Sequence, residues 1–161
     1  MRTDLKPFTC CFTGHRNLKH SKERIKEVLK NTIIQLIKKG IIYYGCGGAL
    51  GFDTIAATTI LELKKEYPQI KLILVLPCRN QADKWSDKDI EEYERIKEQA
   101  DKIRILSETY TNTCMHERNR HLINNSKYCI AYLTENYGGT FYTVNYAKKR
   151  NINVINIADY L

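Results

Sequence analysis

The sequence has no apolar run long enough to span a bilayer, and no apolar core follows its basic amino terminus. A membrane span and a secretion signal are therefore not expected, and a cytoplasmic protein is. Six cysteines are present, at 10, 11, 46, 78, 114 and 129, yet none forms a CxxC pair. Cys114 and His116 lie close together without a second pair of ligands, which makes a poor zinc site. Buried free thiols are the expectation, with no metal and no cofactor. The glycines match neither GxGxxG nor GxxxxGK[ST], which excludes the dinucleotide fingerprint and the Walker A loop. No linker, repeat or low-complexity stretch interrupts the chain, so residues 1–161 are expected to form one domain.

The remaining composition is that of a folded protein, 43% apolar and 27% charged. A net charge of +8 favours polyanionic partners. The basic residues are spread along helices (Lys22, Lys26, Lys30, Lys38, Lys39, Lys148 and Lys149) rather than gathered in a tail. Charge alone therefore fits nucleic acid, a nucleotide or a solvated surface equally well.

Short apolar runs alternate with amphipathic stretches. Strands are expected near 8–13, 41–44, 70–76, 102–106, 128–133 and 153–157. Between Ser21 and Lys39, apolar residues recur at helical spacing (Ile25, Val28, Leu29, Ile33, Leu36 and Ile37), and Gly40 follows. Further helices are expected from Asp53 as cap to about Tyr67, and near 87–100, 115–125 and 140–150. Strands separated by helices of this length imply a parallel sheet. The predicted fold is α/β: a Rossmann-like, doubly wound, mostly parallel sheet in a three-layer α/β/α sandwich.

In such a sheet the ligand lies beyond the carboxyl ends of the strands. The loops there are 14–16, 45–53, 77–85, 109–120 and 136–143, and they hold seven of the eight glycines. Gly45, Gly47, Gly48 and Gly51 can bring backbone N–H groups close to an oxyanion, with Asp53 opening the next helix. No lysine follows to hold a β/γ-phosphate, which argues against an NTPase. Gly138, Gly139 and Thr140 repeat the pattern after the fifth strand. His15 and Arg16 follow the first strand, and Arg79 and Gln81 accompany Trp85, whose indole could stack a base. On the fourth helix Arg118 could clamp a phosphate, Asn119 could bond a sugar or base, and Glu117 could act as a general base.

Cys-Phe-Thr-Gly-His-Arg (11–16), Gly-Gly-Ala-Leu-Gly-Phe-Asp-Thr-Ile-Ala-Ala (47–57), Leu-Pro-Cys-Arg-Asn-Gln (76–81) with Trp85, Arg-Asn-Arg (118–120) and Gly-Gly-Thr (138–140) occur in this order. Together they resemble the YspA-type branch of the SLOG superfamily. That superfamily also holds the DNA-processing protein A Rossmann domain and the lonely-guy phosphoribohydrolases. The resemblance implies a pocket for a nucleotide or nucleotide-derived signal, formed by Gly14, His15, Arg16, Gly47, Gly48, Gly51, Asp53, Arg118, Asn119, Gly138, Gly139 and Thr140. It also implies a homo-oligomer, since related proteins often dimerise beside the site.

Met-His-Glu-Arg (115–118) is similar to the lonely-guy motif around its catalytic arginine, so Glu117 and Arg118 would carry any N-glycoside hydrolysis. The lonely-guy PGGxGTxxE loop, however, is replaced here by Tyr-Gly-Gly-Thr-Phe-Tyr-Thr-Val-Asn (137–145), without its proline or glutamate. The leading expectation is therefore binding of a nucleotide-derived small molecule, of ADP-ribose type or cyclic, rather than its cleavage. Phosphoribohydrolysis is the alternative. Single-stranded DNA binding ranks third, because no aromatic–basic stripe is evident along the sequence.

Overall fold

The computed structural model describes residues 4–161. Six parallel strands form one sheet in the order β4-β3-β2-β1-β5-β6. They are β1 (Thr9–Gly14), β2 (Tyr43–Cys46), β3 (Lys71–Leu76), β4 (Lys102–Ile105), β5 (Tyr128–Tyr132) and β6 (Asn153–Asn156). The helices are α1 (Lys22–Lys38), α2 (Phe52–Leu63), α3 (Asp87–Gln99), α4 (Cys114–Asn124) and α5 (Gly138–Lys149). The expected α/β, Rossmann-like sandwich is the observed one, with every strand pair parallel. Among the described residues, no helix is long and apolar enough to cross a membrane.

Alternation along the strands divides the core between the two faces. Cys10, Phe12, Tyr44, Leu72, Leu74 and Tyr132 join the buried stripe of α1 and residues of α2 in a large cluster. Cys11, Val75 and Cys129 turn the other way and pack with Leu122 and Ile123 of α4 and Ala147 of α5 in a much smaller one. The stripe of α1 is the one the spacing predicts, with Ile25, Leu29, Ile33, Leu36 and Ile37 buried. Each such aliphatic side chain contributes about 1.5–3 kcal/mol on burial. Ser21 caps this helix, accepting the Arg24 N–H at 3.1 Å. All six cysteines are buried and free.

Two elements differ in their boundaries from the sequence expectation in ways that matter for the site. β2 starts later and includes Gly45 and Cys46, because Gly45 pairs with Cys11 on one side and Ile73 on the other. Gly45 therefore belongs to the sheet. A Cβ there would lie 2.9 Å from Leu122, so its bare backbone lets α4 approach. The α2 cap is Gly51, not Asp53, and the helix ends at Leu63 rather than near Tyr67. Asp53 sits inside the first turn, where its Oδ2 accepts the Ala49 N–H at 3.2 Å.

Candidate functional site

Strand order reverses between β1 and β5, and the loops following β1, β2 and β5 open side by side at the carboxyl edge. Three helices begin along this edge without a side-chain cap: α2 at Gly51, α4 at Thr113 and α5 at Tyr137. By contrast, Ser21 and Ser86 cap α1 and α3. The first N–H groups of an uncapped helix lack intrahelical partners and carry the positive end of its dipole, which suits an anion.

The loop after β2 is shaped by two close approaches. Gly51 has φ +79°, and a Cβ on it would lie 2.6 Å from the backbone Cα of Arg16. Only glycine accepts both the left-handed backbone and that proximity. It lets the β1 loop lie against the β2 loop, where the Phe52 N–H donates to the His15 carbonyl at 3.2 Å. At Gly47 the neighbour is a side chain: a Cβ would lie 2.5 Å from Cζ of Arg118.

Arg118 is 4% exposed and Asp53 6%. Arg118 Nη1 donates to the Gly47 carbonyl, and its Nε donates to Asn119 Oδ1 at 2.7 Å. Burial pulls the guanidinium pKa below its ordinary value, while Asp53 pushes it back up. Burial raises the Asp53 carboxyl, opposed by Arg118, the Ala49 N–H and Arg16. Two cationic side chains therefore share one carboxylate, a surplus of positive charge that an anionic ligand would balance.

Four buried side-chain polar atoms lack a hydrogen-bond partner among the described residues: His15 Nε2, Asn80 Oδ1, Gln81 Oε1 and Thr134 Oγ1. All four lie in loops just after the carboxyl ends of β1, β3 and β5. Burying such atoms unpaired costs about 1–3 kcal/mol each, so their clustering at one edge calls for an explanation. Burial and Lys19 lower the His15 pKa, which favours the neutral ring. Gln81 Nε2 donates to the Tyr93 hydroxyl at 3.2 Å and reaches the Gly48 carbonyl at 3.5 Å, tying the β3 loop to the glycine turn.

Other sequence candidates sit differently. Gly138 and Gly139 form the first turn of α5 with open space where a side chain would be, and Thr140 is buried beside them. Arg79 makes an exposed ion pair with Glu108 at 2.9 Å. Trp85 stands edge-on to Tyr93 with ring centroids 5.1 Å apart, at the margin of the large core. Glu117 is exposed and accepts from the Thr113 hydroxyl at 3.1 Å, whereas its neighbour Arg118 is buried. Among the described residues, no group of three or more potential metal ligands occurs.

Thr134 escaped the sequence reading, and Asn80 entered it only as part of the 76–81 motif, not as a site residue. An aromatic–basic face on α4 and α5 escaped it too. Arg120 donates to the Tyr142 hydroxyl, and its guanidinium lies 5.6 Å from the ring centroids of both Tyr142 and Tyr146. His116 meets Tyr142 edge-on at 4.9 Å, and the Tyr146 hydroxyl donates to Asn124 Oδ1 at 2.7 Å.

These features define a Rossmann-like α/β protein with three uncapped helix starts along its strand edge. Residues 8–159 match the YspA SLOG family, and the chain belongs to that family, within the SLOG superfamily. It is similar to a UPF0398 protein of Brevibacillus brevis, 33% identical over 129 residues, covering 78% of this chain and 69% of that protein. Among solved structures it is similar to DNA processing protein A from Streptococcus pneumoniae, with a TM-score of 0.66 and 19% identity. That alignment covers 94% of this chain but spans only half, 50%, of the pneumococcal chain. DNA processing protein A from Helicobacter pylori, described for its single-stranded DNA binding mode, aligns with a TM-score of 0.61 and 22% identity. It covers 95% of this chain and 67% of that one.

Proposed function

We propose that this protein binds a nucleotide or nucleotide-derived small molecule, of ADP-ribose type or cyclic, at the carboxyl edge of the sheet. The observation that carries the reading is the set of four unpartnered buried polar atoms, all at that edge. A ligand with phosphate and base or ribose groups supplies both acceptors and donors for them. Its phosphate would meet the uncapped starts of α2 and α5, the latter through Gly138, Gly139 and Thr140. Arg16, Asp53, Arg118 and Asn119 would set the charge and the sugar contacts.

Binding is favoured over hydrolysis because the 137–145 loop carries no glutamate, and Glu117, the remaining carboxylate candidate, is exposed. Isothermal titration against AMP, ADP-ribose and cyclic nucleotides tests the reading. Saturable heat with at least one of them is expected, and silence across the panel would overturn it. If any of them is cleaved and Glu117→Ala abolishes release of free base, the phosphoribohydrolase alternative replaces sensing. A homo-oligomer is part of the same proposal, and light scattering on the purified protein checks it.

Single-stranded DNA binding is a second reading, favoured by the Arg120, Tyr142 and Tyr146 face and by Tyr137, which is 66% exposed at the start of α5. Exposed aromatic rings beside a guanidinium are the elements on which single strands stack. The Helicobacter pylori relative of this fold is described as binding single-stranded DNA.

A further inference from the structure

A cavity of about 600 Å³ lies away from the Gly47–Gly51 turn. It lies on the α4 face of the sheet, running from Thr9 and Tyr43 at the starts of β1 and β2 past Gly45 and Val75 to the last turn of α4. Its origin is topological. α4 follows edge strand β4 yet packs mainly against β1 and β3, so that among the described residues it covers little of β4. On that face β4 exposes Lys102 and Arg104, although parallel strands are normally covered on both faces.

The floor of the cavity is apolar: Tyr43, Ile73, Val75 and Leu122. The rim is cationic, with Lys102 and Arg104 on one side and Lys6 on the other, and with His121 between β4 and α4. Among the described residues, none of these three cations makes an ion pair. The one carboxylate of the lining, Asp4, already accepts the Lys6 backbone N–H at 3.0 Å. The cations are not needed to satisfy the end of α4 either. Asn125 Nδ2 donates to the His121 carbonyl and Ser126 Oγ to the Leu122 carbonyl, both at 2.8 Å. Arg104 and Lys102 lie close enough to His121 to depress its pKa, after burial itself, so positive charge converges here.

We infer that this cavity is a second ligand site, for a small molecule with an apolar body and one anionic head group, a carboxylate or a phosphate. The volume lies within the roughly 300–1,000 Å³ typical of small-molecule sites. Tyr43 and Ile73 of the floor are only half-buried and supply the apolar surface that such a body would cover. A second copy docking through the same face would set cation against cation. Apart from Gly45, which also lines this cavity, the site is built from residues that the nucleotide reading does not use.

Fluorescence titration with anilinonaphthalene sulfonate, an apolar anion, tests the proposal. One saturable site is expected, displaced by decanoate or decyl phosphate; the better competitor identifies the preferred head group. In the Lys102→Glu/Arg104→Glu variant, binding is expected to weaken about tenfold or more, the worth of one charge-assisted contact. Both positions are exposed on an edge strand, and circular dichroism confirms that the variant folds. Amide shifts on binding should centre on Ile73, Val75 and His121. The proposal is overturned by absent binding, by equal affinity in the charge-reversed variant, or by shifts confined to Gly47–Gly51. Preference for an acidic peptide over both alkyl anions would likewise overturn it.

Discussion

The guanidinium of Arg118 occupies the space that a side chain on Gly47 would need, with Cζ only 2.5 Å from where a Cβ would stand. Gly47 is therefore required for Arg118 rather than for a turn alone. Gly47→Ala should displace the guanidinium and cost about 1–3 kcal/mol, the usual range for overpacking. Urea denaturation reads this as a lower midpoint at unchanged slope. An unchanged midpoint would mean that Arg118 is not seated there.

Arg118 and Asp53 are buried in the same chamber, each shifting the ionisation of the other. Removing one partner leaves a buried charge uncompensated, so Arg118→Ala should cost at least about 2 kcal/mol. The Arg118→Ala/Asp53→Asn double variant should cost less than the sum of its singles. Strict additivity in the cycle would deny the coupling.

The pH dependence of Asp53 follows from its raised pKa. Above the ordinary carboxyl value of 3.8, the unfolded chain has released a proton that the folded protein still holds. Stability from this group is thus complete below that value and is lost as pH rises through the folded value. Asp53→Asn removes the decline, so the variant should gain on the wild type from about pH 4 upwards. Denaturation midpoints for both proteins across that range check it, and parallel curves would refute the assignment.

The two glycine loops should respond differently to alanine. At Gly51 the φ of +79° and the Arg16 backbone leave no room, so Gly51→Ala should destabilise by more than about 1 kcal/mol. Nothing lies within 4 Å of a Cβ at Gly139, so Gly139→Ala should leave the melting temperature nearly unchanged. If the start of α5 contacts phosphate, the same variant should weaken nucleotide binding several-fold, and calorimetry separates the two effects.

The α4–α5 face carries its own test. Arg120→Ala and Tyr142→Ala remove exposed contacts, so stability should change by no more than about 0.5–1 kcal/mol. Under the single-stranded DNA reading, affinity for an oligothymidine should fall with each and decline steeply with salt. Wild-type affinity in both variants would remove this face from that reading.

What the sequence revealed depended on whether the signal was local. The stripe from Ile25 to Ile37 and the apolar run ending at Leu76 are periodic within one element, and their helix and strand follow directly. Gly45 was misplaced because glycine usually marks a turn, and only its pairing with Cys11 and Ile73 keeps it in β2. Asp53 looked like a cap, but its carboxylate turns back to Ala49 while Gly51 takes the boundary. The Arg120–Tyr142 contact joins residues on two helices, so no linear pattern announces it. Asn80 and Thr134 became site candidates only as buried atoms without partners, a property of packing rather than of residue order.

The most direct test of the central claim is an amide-resolved NMR titration with ADP-ribose and AMP. Saturable shifts should appear together in Gly47–Asp53, Gly138–Thr140 and the loops holding His15 and Gln81. Absence of saturable shifts with either, or shifts confined to the outer faces of α4 and α5, would contradict a nucleotide site at the strand edge.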